Sequence, residues 1–244
     1  MKITSLILSL LLLFGLSFQI KAQHPTIRNS SWDDRTLVRA MNISEAAAGL
    51  IQKVMESNKS FPNHIIDNAE AIAVFPANPG IKPAFGGNDV GIVSIRDPQT
   101  GLWSPPIFLR VDSSSIEHQV KQGKDFFLFA MNRPLAEAFL TDRELKIEFT
   151  RGDNFGDVAE PDTRSADVSN GFIAFLRDGG IFVEFGSSAA DSSQVLRIVQ
   201  ANDLNRAVYG ERRITRFLPV SQVVPSRVLT FTNTLNQYAR RPEA

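Results

Sequence analysis

The stretch from Ala71 to Met131 constrains the fold most, because it alternates short apolar runs with glycine- and proline-rich turns. Ala71–Phe75 contains no polar residue and is followed by a proline, which predicts a buried strand. We predict a second strand over Val90–Arg96 and, after a turn containing proline and glycine, a return strand over Leu102–Val111. Runs this short, joined by tight turns, predict neighbouring antiparallel strands.

Further apolar or alternating runs predict more strands. They are Phe126–Met131, Lys146–Thr150, Val195–Val199 and the hairpin Gly171–Phe185, which turns at an Asp-Gly pair. Pro105-Pro106 interrupts the return strand, and because proline donates no backbone hydrogen bond, the pair predicts a sheet edge or a bulge. Residues 152–170 are acidic and poor in large apolar residues, so we predict an exposed loop there.

Helices are predicted towards both ends of the chain. Apolar residues recur at helical spacing in Glu45–Asn58, and Ser44 before them is the predicted N-cap, after a short lead-in helix at Thr36–Met41. The other predicted helices are His64–Ala69, Asn132–Leu140, Asp203–Tyr209 with Gly210 as its C-cap, and Pro225–Arg240. The expected fold class is α+β, an antiparallel sheet, sandwich or barrel-like, flanked by N- and C-terminal helices.

The first 22 residues are typical of a signal peptide. Lys2 gives a positive start, Ile3–Phe18 is nearly all apolar, and cleavage after Ala22 would leave a chain that begins at Gln23. The alternative is an uncleaved membrane anchor, but a spanning helix needs about 20 apolar residues and this run is shorter. We therefore predict a signal peptide at 1–22, an N-terminal segment at 23–42 and one domain at 43–240.

Composition narrows the class of protein for an exported chain. The sequence contains no cysteine, so neither a disulfide nor a thiolate metal site can stabilise the domain. Its 26 basic residues equal its 26 acidic ones, and losing Lys2 and Lys21 with the leader makes the mature chain slightly acidic. This balance argues against general electrostatic binding to nucleic acid or to an anionic membrane. A local basic face stays possible.

Several of these residues follow one another in an order that resembles the SYLF domain, a lipid-binding family. The residues that carry the resemblance are Phe75-Pro76, Lys82, Phe85-Gly86, Arg96, Gly101, Trp103-Ser104 and Phe108. The hairpin at Gly171–Gly186 and the pair Tyr209-Gly210 are also similar to the family's, so the resemblance covers about Ile43 to Tyr238. It implies a lipid-binding α+β domain, here exported to the periplasm or secreted.

The sequence departs from the family at three places. Ser114–Gly123 reads SSIEHQVKQG, with Ile116-Glu117 where the family's first glycine would fall. The glycine repeat after Phe85 is thinned, and Glu184 stands where the family has a small residue. These changes add bulk and charge where backbones approach closely, so they leave the fold expected and weaken the transfer of a lipid-binding surface.

The resemblance implies a lipid-binding lip made of aromatic and basic side chains. We predict that Lys82, Phe85, Trp103, Phe108 and Arg110 form it. The alternative is ordinary sheet packing of the aromatic rings with the charges outside. The amphipathic helix after Ser44 is a poorer membrane candidate, because Lys53 is its only basic residue and membrane-surface helices usually carry several.

No motif predicts catalysis or a metal. Ser114 and His118 lie near an aspartate, but the sharp strand-to-helix turn that exposes a nucleophilic serine is missing. The three histidines lack zinc spacing, and the Asp153–Asp157 run falls short of a calcium loop. Phe85–Gly91 is followed by a predicted strand, so its glycines indicate a bulge or turn rather than a phosphate loop.

The sequence therefore predicts a non-enzymatic, exported lipid-binding protein of the cell envelope, with no cofactor. Its expected partner is a phospholipid or membrane surface, bound weakly and peripherally through headgroups or acyl chains. The alternative is a structural or protein-interaction module of the envelope that lacks lipid binding, and a hydrolase is a remote third hypothesis.

Overall fold

A computed structural model describes residues 31–56, 63–77, 90–111, 124–141, 143–149, 155–158, 171–178, 181–184 and 194–239. The helices are α1 (Ser31–Glu56), α2 (Asn63–Asn68), α3 (Arg133–Ala138), α4 (Asn202–Tyr209) and α5 (Thr230–Tyr238). The strands are β1 (Ala71–Phe75), β2 (Val90–Ile95), β3 (Ile107–Val111), β4 (Asp125–Ala130), β5 (Leu145–Phe149), β6 (Phe155–Val158), β7 (Phe172–Asp178), β8 (Ile181–Glu184) and β9 (Gln194–Gln200).

The nine described strands form one curled antiparallel sheet. Their order is β4-β1-β2-β3-β9-β5-β6-β7-β8, and β4 also pairs with β7, from Asp125 opposite Arg177 to Ala130 opposite Phe172. The sheet therefore returns to its starting strand. Helices α1 and α5 contact each other, at opposite ends of the described chain. The predicted α+β class, with a barrel-like antiparallel sheet and terminal helices, is confirmed.

Alternation along the strands separates two apolar clusters, one on each face of the sheet. In β1, for example, Ala71, Ala73 and Phe75 point to one face and Ile72 and Val74 to the other. The interior cluster joins residues of seven strands and centres on Ala73, Phe75, Val93, Leu109, Phe126, Leu128, Ala174, Leu176, Leu196 and Ile198. The helix-facing cluster packs Ile72, Val74, Ile92, Phe108, Phe127 and Phe129 against Ile43, Ile51, Leu204, Phe231 and Leu235.

The glycine at position 91 is required by close packing inside the sheet. A Cβ atom there would lie 2.3 Å from Cδ1 of Phe75, which is fully buried on the neighbouring strand. Only glycine leaves room for that ring. Gly101, in the turn after β2, is needed for a different reason, because its backbone has a φ of 67°.

The N-terminal helix corrects the prediction of Ser44 as an N-cap. Helix α1 runs without a break from Ser31 to Glu56, because its apolar face continues through the predicted lead-in. Ser44 is fully buried. Its hydroxyl donates to the carbonyl of Val228 at 2.7 Å and accepts from the backbone N–H of Phe231 at 3.1 Å. Ser44 therefore satisfies backbone groups at the start of α5, far away in sequence.

Two other expectations are corrected, and a third is decided between its two alternatives. Strand β6 lies within the predicted loop, where it pairs with β5 and β7 although only Phe155 and Val158 of its residues are large and apolar. The final helix begins at Thr230, after a series of turns, rather than at Pro225. The proline pair does not mark an edge, since β3 lies between β2 and β9. The other predicted possibility, a bulge, is confirmed, because three residues (104–106) face two (94–95) between the pairs Val93–Ile107 and Arg96–Trp103.

Candidate functional site

Two of the three aromatic residues of the predicted lip lie in the core. Trp103 and Phe108 are both fully buried. The backbone N–H of Trp103 donates to Oδ1 of Asn236 at 2.9 Å, and its indole Nε1 donates to the carbonyl of Ala239 at 3.1 Å. Neither ring reaches solvent, so the lip is not built from them, and their burial fits the alternative of ordinary sheet packing.

The basic part of the predicted lip is only partly described. Arg110 lies on the same strand as Phe108, with a side chain 31% exposed, and its Nη2 donates to both carboxylate oxygens of Asp203 at 3.0 Å. Burial opposes ionisation of Asp203, but Arg110 and nearby backbone N–H groups outweigh it and lower the pKa of that carboxyl. Lys82 and Phe85, like Ser114 and His118, lie outside the described residues.

Asn205 holds α4 against β3 beside this pair. Its Oδ1 accepts from the N–H of Phe108 at 2.9 Å, and its Nδ2 donates to the carbonyl of Phe108 at 3.2 Å. Tyr209, at the end of α4, donates its hydroxyl to the carbonyl of Pro106, and burial raises the pKa of this phenol. These contacts hold α4 against β3 and against the Pro105-Pro106 pair that precedes it.

Arg96 is buried where the end of α2 meets the C-terminal end of the described chain. Its guanidinium carbon lies 4.1 Å from the ring centroid of Trp103, over the ring. Nε donates to the carbonyl of Ala69 at 2.9 Å and Nη1 to that of Ala239 at 2.8 Å. Longer bonds reach the carbonyls of Gly101, Ile66 and Asp67. This arginine, part of the family resemblance, is a structural tie in the described fold.

A polar cleft of about 240 Å³ lies where β9 ends and α4 begins. It is lined by Thr141, Arg143, Glu144, Val199, Gln200, Asn202 and Arg213. Glu144 forms an ion pair with Arg197 at 2.9 Å, which compensates its charge. The other charged side chains that line the cleft are two arginines, Arg143 from the loop after α3 and Arg213 from the loop after α4.

Gln200 joins the two loops that form the walls of this cleft. Its Nε2 donates to the carbonyls of Phe139 at 3.0 Å, Thr141 at 3.4 Å and Ile214 at 2.8 Å. Its Oε1 accepts from the N–H of Ile214 at 2.7 Å. One strand residue therefore fixes the separation of the loops that carry Arg143 and Arg213.

A second candidate surface begins in the second half of α4 and was not predicted from the sequence. Residues 206–227, which we call the arginine–valine segment, contain five arginines and a single acidic residue, Glu211. Val223 is 90% exposed and Val220 is 39% exposed, although both are apolar. The signal was available in the sequence as a local charge excess, with Arg212, Arg213 and Arg216 close together, in a chain whose total charge is balanced.

Two arginines of the segment form ion pairs with exposed glutamates. Arg216 contacts Glu211 through both carboxylate oxygens, at 2.8 and 2.9 Å. Arg227 contacts Glu45 of α1 at 2.6 Å. In each pair hydrogen bonding to the arginine lowers the pKa of the glutamate. Arg212 forms no hydrogen bond or ion pair within the described part of the chain, so its charge is available to a partner.

Neither a metal cluster nor a membrane-crossing helix is found among the residues with described positions. No group of three or more metal-ligating side chains comes together there. No helix in the same ranges combines the length and the apolar character needed to cross a bilayer. Comparison with protein-family models, curated proteins and solved structures found no match for this chain. The resemblance to the SYLF domain stays a prediction based on the residues quoted above.

Proposed function

We propose that this chain is a non-enzymatic lipid-binding protein of the cell envelope that attaches peripherally to anionic membrane. The arginine–valine segment carries the proposal, because exposed apolar side chains and excess positive charge occur there together. The proposed attachment surface does not include Trp103 and Phe108, because both side chains are buried in the core. It keeps the expected mechanism, in which apolar side chains insert and basic side chains orient phosphate.

Both components of the segment suit an anionic interface. A fully buried valine contributes about 1.5 kcal/mol when its side chain leaves water. Each arginine near an anionic bilayer contributes about 1 kcal/mol, and the attraction falls off within a Debye length. Val223 is nearly fully exposed, and Arg212 is unpaired in the described part of the chain. Neither side chain therefore has to give up an existing contact before attachment. The result is weak, reversible and salt-sensitive binding.

Co-sedimentation with vesicles tests this function. The exported chain from Gln23 should pellet with phosphatidylglycerol-containing vesicles, pellet less with pure phosphatidylcholine vesicles, and lose binding as salt is added. Val223→Asp should weaken vesicle affinity about tenfold, since it removes apolar insertion and adds repulsion. Val38→Asp is the matched control, because Val38 is also an exposed valine, at 47%, but lies on α1.

The alternative function is an envelope structural or protein-interaction module without lipid binding. The burial of Trp103 and Phe108 favours it, because it removes both described rings of the predicted lip from the surface. Failure to pellet with either kind of vesicle would reject the lipid proposal and leave this alternative. Equal effects of the two aspartate variants would reject the arginine–valine segment as the attachment surface.

A further inference from the structure

We propose that the polar cleft at the junction of β9 and α4 is a binding site for a phosphate-type oxyanion. This site shares Arg213 with the arginine–valine segment but does not include the exposed Val220 and Val223, and its ligand need not be part of a lipid. The chemistry that it would recognise is a phosphate or phosphomonoester group, whether free in solution or carried by a headgroup.

The charges that line the cleft favour an anion. Arg143 and Arg213 both line it, and Glu144 is the acidic residue among the lining side chains. Because Glu144 is paired with Arg197 at 2.9 Å, its negative charge is already compensated. The positive charge without a partner in the described ranges lies on Arg143, whose guanidinium presents a planar array of N–H donors that matches the oxygens of phosphate.

The donors of the cleft divide into those that hold the fold and those that remain for a ligand. Gln200 uses its amide on three carbonyls and one backbone N–H, as described above, and the hydroxyl of Thr141 donates to the carbonyl of Ala138 at 3.0 Å. By contrast, the side chains of Arg143 and Asn202 form no hydrogen bond or ion pair within the described ranges. These two supply unused donors at one site.

The walls of the cleft are set before any ligand arrives. Gln200 fixes the loop after α3 through Phe139 and Thr141, and it fixes the loop after α4 through Ile214. The two loops place Arg143 and Arg213 beside the same space of about 240 Å³. Because the distance between the two loops is already fixed, the protein loses less conformational entropy when a ligand binds. This favours recognition of a small ligand.

Titration of the exported chain with inorganic phosphate, followed by calorimetry at constant ionic strength, tests the site. We expect saturable binding that Arg143→Gln weakens about tenfold and that Arg216→Gln changes less than about twofold. Arg216 is the control because it is an exposed arginine of the same region that does not line the cleft. Asn202→Ala should weaken binding by a smaller factor than Arg143→Gln.

Absence of saturable phosphate binding, or an equal loss in the Arg143 and Arg216 variants, would overturn the site. A second experiment, co-sedimentation with phosphatidic acid vesicles, identifies the source of the phosphate. If Arg143→Gln also lowers pelleting with phosphatidic acid vesicles, the ligand group is a lipid headgroup, and if pelleting is unchanged, it is a soluble phosphate compound. Val223→Asp should leave the binding of inorganic phosphate unchanged, so this site and the membrane proposal can fail separately.

Discussion

The two faces of the curled sheet are stabilised in different ways. The interior cluster is built by apolar side chains from seven strands. Between the sheet and the helices, buried polar side chains make contacts across the chain. Ser94 and Thr232 are hydrogen-bonded at 3.1 Å although 138 residues separate them, and Ser44 reaches the backbone of Phe231 across 187 residues. Burial drives the strands together, whereas these polar contacts fix where the helices lie on them.

The comparison predicts that loss of Arg96 is the most damaging single change on the helix-facing side. Arg96→Met removes the donors to buried carbonyl groups and should lower the free energy of unfolding by about 3–5 kcal/mol. Chemical denaturation measures this value. Arg197→Met is the control, because that pair is exposed and should contribute about 0–1 kcal/mol. A loss below that of the control would show that Arg96 does not tie the end of α2 to the C-terminal end of the described chain.

A test of the interior face uses its tightest contact. Gly91→Ala should destabilise the protein by about 1–3 kcal/mol, because its methyl group would collide with the fixed ring of Phe75. Combining it with Phe75→Leu should recover part of that loss, since the smaller side chain leaves room. Additive losses in the double variant would mean that the two residues do not compete for the same space.

Ser44 gives a smaller effect that is specific to the helix-facing side. Ser44→Ala should cost about 0.5–2 kcal/mol, as for the loss of a helix cap, because the N–H of Phe231 is left unsatisfied. Hydrogen exchange should show faster opening of α5 than of the interior strands. Ser226→Ala is a matched control at an exposed position. Equal protection of α5 in the two variants would count against the role of Ser44.

The smallest effect concerns the Arg110–Asp203 pair. The folded-state pKa of Asp203 is lowered, so its contribution is present above the unfolded pKa of about 3.9 and is lost as pH falls through the folded value. Because both side chains are partly exposed, the contribution is below about 1 kcal/mol. Asp203→Asn should lower Tm at pH 6, and the difference from the native chain should shrink below about pH 4. A constant difference across that range would exclude the ion pair as its cause.

The local pattern of the chain predicted most of the strands and their antiparallel class. Val90–Ile95 and the hairpin at 172–184 follow from apolar alternation and turn residues, which act over a few positions. Strand β6 was missed because it is only four residues long and lies in an acidic stretch, and it pairs with β5 and β7, which are separate segments of the chain. Ser44 was misjudged because its partners in α5 are distant in sequence.

The candidate surfaces were harder to predict than the fold. Trp103 and Phe108 were expected at a lip, but a strand pattern does not tell which face the helices cover. The polar cleft depends on Gln200, which brings together loops around residues 141 and 214. No short sequence window contains both loops. The exposure of Val223 likewise depends on how the turns before α5 leave the core.

Labelling at position 223 tests the central claim, membrane attachment through the arginine–valine segment, most directly. The chain has no cysteine, so Val223→Cys and Val38→Cys each accept one polarity-sensitive fluorophore at a defined site. With anionic vesicles, the account predicts a blue-shifted, brighter emission from the label at 223 and unchanged emission from the label at 38. Unchanged emission from both labels while the protein pellets, or an equal shift at both positions, would contradict it.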